Sequence, residues 1–213
     1  MIPPITFIHN TPSVVVVKVD VTHVETSASA PMGKRVKLPD GSVAININYF
    51  WNSKPIGALI EKGKPLSTIP LNYPRAVLII KDKKAEIHVI TPEEVEYHLQ
   101  KKEWTNATVV QAGPRLIHFG KIVSQKELKR EHFAPSIFRR TNHTLIGIDK
   151  SGDLILTFIR GHTLPEIAYM MKKFGVLELA NMDGGSSSSL IFHKHYYGSS
   201  RPKVLLMMTP TKK

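Results

Sequence analysis

The sequence predicts an α+β fold, mostly antiparallel sheet with two short capped helices in a single domain, on three observations. Short β-branched runs separated by turn residues recur along the 213 positions. Neighbouring runs are joined by tight turns in hairpin fashion rather than by crossover helices. Two windows combine an N-terminal capping signature with proline at a first helical position.

Val14 to Val21 is continuous and β-branched between Pro12 and Thr22, a buried strand. Residues 26–42 turn polar, with Pro31, Gly33, Pro39 and Asp40-Gly41, and read as a long loop. Ser42 to Phe50 alternates as a strand carrying Asn46 and Asn48 on one face. Ile56–Leu66 and Ala76–Ile90 are hairpin-like, broken at 61–64 and 81–84. Thr91-Pro92-Glu93-Glu94 launches a helix to about Glu103, and Thr163-Leu164-Pro165-Glu166 launches a second that stops at Gly175. Between them lie a strand at Ala107–Gln111, a turn at 112–114, and hairpins over Arg115–Val123 and His143–Ile159. Leu190–His193 and Val204–Met208 close the chain as strands.

Composition narrows the function classes. The absence of cysteine removes disulfides, thiolate metal sites and a cysteine nucleophile. No apolar run reaches the roughly 20 residues that span a bilayer, and Met1-Ile2-Pro3-Pro4 lacks a signal-peptide pattern, so a soluble chain is expected, its compartment open. A formal charge of +12 favours anionic partners. The lysines sit at turns and helix ends, as at Lys81, Lys83, Lys84, Lys101 and Lys102, which argues against a nucleic-acid stripe.

The aspartates sort by setting. Asp40, Asp82, Asp149 and Asp153 fall in turns, where bonding to their own backbone is the ordinary role, and Asp20 ends the first strand. Asp183 instead follows the apolar run Leu177–Met182 and precedes Gly184-Gly185 and four serines, Ser186 to Ser189. Glycines leave main-chain N–H groups open and the serines add hydroxyls, so this loop fits an oxygen-rich anionic ligand. It has no lysine for a phosphate-binding P-loop and no second glycine for a hydrolase elbow. His193-Lys194-His195 would put two imidazoles on one strand face with no carboxylate at matching spacing, a surface pair. His23 and His143, at strand ends, are candidates for acid–base or ligand contact.

Asn181-Met182-Asp183-Gly184-Gly185-Ser186-Ser187-Ser188 resembles the Asn-Leu-Asp-Gly-Gly-Gly-Ser-Ser signature of the phosphodiester glycosidase family. Ile45 to Phe50 is similar to the family's Asn-Gly-Gly-Phe-Phe strand, and Pro55-Ile56-Gly57 with 61–64 to the hairpin after it. Gln111 to Ile117, Thr144 to Asp149, Gly161 to Ala168 and Arg201-Pro202-Lys203-Val204 resemble later motifs in the family's order, from about Ser42 to Met208. The resemblance implies hydrolysis of a sugar 1-phosphodiester, of the N-acetylglucosamine-1-phosphodiester type, leaving a phosphomonoester. It implies Asp183, His143 and Asn46 as catalytic residues, and Asn48, Gly184, Gly185, Ser187, Arg201 and Thr144 as contacts to sugar or phosphate. The expected partner is a sugar phosphodiester or phosphorylated glycan, with no metal, no cofactor and no oligomeric state implied. Four positions depart from the family pattern: His143 replaces an arginine, Ile47 and Asn48 replace glycines, and Ser186 replaces the third glycine. A different reading of the +12 charge is a non-catalytic module for anionic glycan or nucleic acid.

Overall fold

In the computed structural model, which describes residues 3–69 and 71–211, the chain is 48% strand and 17% helix. Among the described residues the strands form four sheets, of seven, five, five and two strands, and three α-helices accompany them. This corrects the expected α+β class with one sheet system and two helices: the fold is predominantly β, and its layers are sheets.

The seven-stranded sheet includes Val14–Val19, Leu154–His162, Thr141–Asp149 and Val176–Asn181. One five-stranded sheet contains Gly57–Glu61, Arg75–Lys81 and Thr108–Ala112. The other runs in the order His195–Gly198, Ser189–Phe192, Val43–Asn46, Leu205–Pro210, Val24–Ser29. All three present apolar faces to one core, where Val17, Leu156 and Ile146 meet Leu59, Leu78 and Val110, and Ile45, Leu190 and Leu206. Each sheet therefore needs a cover on its outer face. Helix α3 (Leu164–Lys173) covers the first, burying Leu164, Ile167, Ala168 and Met171 at helical spacing. Helix α1 (Pro92–Gln100), with Trp104, lies over the second. The segment before Ser42 covers the third with Val36 and Leu38.

Several elements differ from expectation for local reasons. Helix α2 (Gln125–Arg130) has the same capping box, Ser124 with Glu127, but buries only Leu128, so no apolar stripe announces it. Val24–Ser29 overlaps the start of the expected 26–42 loop; among the described residues it pairs only with Leu205–Pro210, and such an edge position tolerates its polar sequence. The expected strand through Phe50 leaves the sheet after Asn46, because Ile47 bonds to two other segments: its N–H donates to Val204 O and its carbonyl accepts from Asp183 N. His193 and Lys194 have positive φ and form the turn between two strands, so the imidazoles of His193 and His195 do not share one strand face. His23 is exposed beside Asp20, which caps a single 3-10 turn. Among the described residues no helix is long and apolar enough to cross a membrane.

Candidate functional site

The Asp183 loop joins two sheets. Val176–Asn181 leaves the seven-stranded sheet, Met182 N donates to Thr144 O, Asp183 N donates to Ile47 O at 2.8 Å, and Ser189 enters the next sheet. Gly184 fits because a Cβ there would come within 3.2 Å of Asn142 O, and Gly185 takes φ +74°, where only glycine is at ease. Ser186 is exposed and outside the positive-φ set, so a serine replaces the family's third glycine without backbone strain.

Asp183 is only 7% exposed. Its Oδ2 accepts from Asn46 Nδ2 at 2.9 Å and from the Ser187 hydroxyl, and the Gly184 N–H adds a third donor. No cation pairs with it among the described residues, and burial outweighs the donors, raising its pKa to about 6. The carboxyl is thus poised to change protonation near neutrality.

Asn46 is fully buried, with Oδ1 accepting from the N–H groups of Lys203 and Val204 at 3.1 and 3.3 Å, which turns its amide nitrogen toward Asp183. Behind the pair, the buried Thr144 hydroxyl lies 3.0 Å from Asn46 O and 2.7 Å from Asp183 O, tying the two backbones together. Asn48 is also buried, but its Nδ2 donates to Ile56 O and Ala58 O rather than to Asp183, and its Oδ1 has no hydrogen-bond partner.

His143 is 1% exposed, with Nδ1 3.0 Å from Asn181 Oδ1. The Asn181 amide nitrogen faces Met182 O and Gly113 O, so its oxygen faces the imidazole and His143 Nδ1 carries the proton. Burial lowers the His143 pKa, and Nε2 forms no hydrogen bond. The side chain is therefore a neutral imidazole where the family has a permanent cation. Arg140 does not substitute for it, being bonded to Gly161 O and Glu166 outside the site.

Gly185 and Ser186 offer N–H groups that bond to nothing among the described residues, while Gly184 directs its own toward Asp183. Arg201 is exposed beside this loop: its N–H donates to Ser199 Oγ, and Ser199 in turn bonds to Ser188 and Ser189. Its guanidinium has no ion pair or hydrogen bond among the described residues.

Two nearby groups carried no sequence signal. Tyr49 donates to Gly113 O at 2.6 Å, and burial and the Asp183 charge hold its hydroxyl protonated. Glu131, at the end of α2, is buried and accepts from Ala76 N and Arg115 N; burial lifts its pKa to about 7. Among the described residues no group of three or more His, Asp or Glu is placed to hold a metal ion.

Solved structures share this fold. The zebrafish N-acetylglucosamine-1-phosphodiester alpha-N-acetylglucosaminidase catalytic domain, auto-inhibited by its pro-peptide, superposes with a TM-score of 0.71 at 17% identity, over 98% of this chain and 82% of that one. A hypothetical protein from Synechocystis gives 0.65 at 15% identity, over 96% and 61%. A protein from Burkholderia pseudomallei K96243 gives 0.66 at 11%, over 92% and 74%. At these identities the likeness is one of fold. No curated protein matches the sequence. The family model described as phosphodiester glycosidase matches residues 40–205, which takes in Asn46, His143, the Asp183 loop and Arg201. The chain belongs to the phosphodiester glycosidase family.

Proposed function

We propose that this protein, as a single phosphodiester glycosidase domain, hydrolyses sugar 1-phosphodiesters of the N-acetylglucosamine-1-phosphodiester type. Water adds at the anomeric carbon, the bond from that carbon to the phosphate oxygen breaks, and the products are a free sugar and a phosphomonoester. The observation that carries this reading is the Asp183 carboxyl, buried without a counter-ion and titrating at about 6. A phosphomonoester has its second pKa near 6, so a proton passes between Asp183 and the departing phosphate without a large energy mismatch.

Asn46 and Ser187 aim the carboxyl, leaving Oδ1 for the reacting proton. The free N–H groups of Gly185 and Ser186, and the Arg201 guanidinium, supply donors for phosphate oxygens, arginine through two parallel bonds. His143 enters as a neutral positioning group whose Nδ1 proton is committed to Asn181. Thr144 and Asn48 support the backbone of the pocket from behind.

The test is to incubate purified protein with a sugar 1-phosphodiester and follow free sugar and phosphomonoester together. Both should appear in equal amounts, and Asp183→Asn should abolish them. Binding of polyanions with no turnover of any diester would instead support a non-catalytic module, the reading favoured by the +12 charge alone.

A further inference from the structure

Away from Asp183, the outer face of the five-stranded sheet that carries Val43–Asn46 holds a cleft of about 900 Å³. The 35–42 strap forms one wall and the turn between Ser189–Phe192 and His195–Gly198 the other, with Ile191 and Tyr196 between them. The strap is pinned there by Val36 and Leu38 against the sheet and by the Tyr196 hydroxyl donating to Val36 O.

The polar lining is strongly one-sided. Arg35, Lys37 and Lys194 line the cleft against the single carboxylate of Asp40, which is paired with Lys194 at 3.0 Å. Arg35 lies 5.5 Å over the Tyr196 ring, a stacking that orients the guanidinium while leaving its donors unused. Neither Arg35 nor Lys37 has an ion pair or hydrogen bond among the described residues. Two unpaired cations held over a cleft by a packed strap form a receptor for oxyanions. Ser42 lines this cleft and Asn46 ends the strand that follows it, so about 13 Å of extended chain separates Ser42 from the residue that holds Asp183.

We propose that this cleft binds a second phosphate of a phosphate-bearing glycan whose scissile unit lies at Asp183. The proposal rests on the function given above and sharpens it, making the substrate a glycan with several phosphates rather than an isolated sugar diester. Nucleic acid fits less well. Single strands are held by successive exposed rings, and here the one lining tyrosine is covered by Arg35.

The test uses the full chain carrying Asp183→Asn, so that binding is read without turnover. The probes are a synthetic trimer of N-acetylglucosamine units joined by phosphodiesters, a single N-acetylglucosamine 1-phosphodiester, and a single-stranded oligonucleotide of the trimer's charge. Adding Arg35→Gln and Lys37→Gln should weaken trimer binding at least tenfold and flatten its salt dependence, while leaving binding of the single diester and the melting temperature unchanged. Equal trimer affinity with and without the two substitutions, or no trimer binding at all, overturns the proposal. So does an oligonucleotide that binds as tightly and loses as much. A protein that turns over no diester yet shows the Arg35- and Lys37-dependent trimer affinity would retain the cleft as a phosphoglycan site and refute the hydrolase reading instead.

Discussion

Asn46 Nδ2 donates to Asp183 Oδ2 over 2.9 Å, joining residues 137 positions apart, one at the end of a strand and the other in the loop that leaves the seven-stranded sheet. The bond fixes the carboxyl without neutralising it, since an amide carries no charge. A lysine or arginine in place of Asn46 would hold the carboxylate ionised far below neutrality. The amide therefore leaves the proton exchangeable in the range where a phosphate leaving group also titrates. Removing the side chain in Asn46→Ala breaks this bond and strips Lys203 N and Val204 N of their acceptor. We expect a loss of about 2–4 kcal/mol in stability by urea unfolding, together with a further rise in the apparent kinetic pKa of the enzyme's pH–rate profile, because the Asn46 donor favours the ionised carboxyl.

Asp183→Asn separates chemistry from folding. Asparagine retains an oxygen to accept from Asn46 and Ser187, so the fold should persist, while proton transfer is lost and kcat should drop by at least about 100-fold. Diester turnover and circular dichroism on the same samples check this, and full activity in a folded variant would remove Asp183 from the mechanism.

The same substitution predicts a stability shift with a definite sign. The folded-state pKa of Asp183 is raised from 3.8 to about 6, so the folded chain holds a proton that the unfolded chain has released. Stability should therefore fall as pH rises from about 4 to 6 and stay level above, a change of about 3 kcal/mol from this group. In Asp183→Asn that contribution is absent, and the variant should gain on wild type across this window and melt higher at pH 8. Melting curves for both proteins at pH 4.5 and 8 decide it; a constant difference between them would contradict the burial argument.

Gly198 controls the site from the neighbouring hairpin. A Cβ at this position would fall 2.2 Å from Ser188 O and 2.6 Å from Phe158 Cε2, at φ +87°. Gly198→Ala must displace the serine loop or the core phenylalanine, at a cost of about 3 kcal/mol or more. Gly152→Ala, with no atom near its Cβ but a similar φ of +83°, isolates the backbone strain, which is expected at about 1 kcal/mol. Unfolding of the two variants in parallel, with comparable losses, would show that the close approach to Ser188 carries no energy.

The hairpins and the apolar stripe of α3 were legible because their periodicity is carried by residues that are themselves buried, such as Leu164, Ile167 and Met171. The Asp183 loop was legible because its glycines and serines have no packing purpose. The sheet count was not, since period-2 patterns reveal a strand but not its neighbour, and three sheets share one core. The polar edge strand Val24–Ser29 looked like loop for want of a buried stripe. Asn48 sat in the same alternation as Asn46, but the chain leaves the sheet at Ile47, which redirects its amide to Ile56 O and Ala58 O. Glu178 accepts from Phe119 N and lies 3.0 Å from His118 Nδ1, bracing a turn across strands that no strand pattern announces.

Glu131 is the residue the sequence hid best, in a polar stretch with no pattern around it, and it carries the last prediction. Its Oε1 accepts from Arg115 N at 2.8 Å and its Oε2 from Ala76 N at 3.2 Å, so one carboxylate clamps two strands from different sheets at the end of α2. Burial raises its pKa from 4.5 to about 7 despite these donors and the nearby Arg75 and Arg115 charges. Because the folded value lies above the unfolded one, its contribution to stability is greatest below about pH 4.5 and declines as pH rises to about 7. Glu131→Gln keeps one acceptor but turns an NH₂ toward the other backbone N–H, which should cost about 1–3 kcal/mol at pH 4.5. At pH 8 wild type also bears the cost of a buried charge, so the gap between the two proteins should close by up to about 3 kcal/mol or reverse. Urea unfolding at the two pH values measures that gap, and a gap that stays the same would mean that Glu131 remains ionised in the folded chain throughout, held by its backbone donors and the neighbouring arginines.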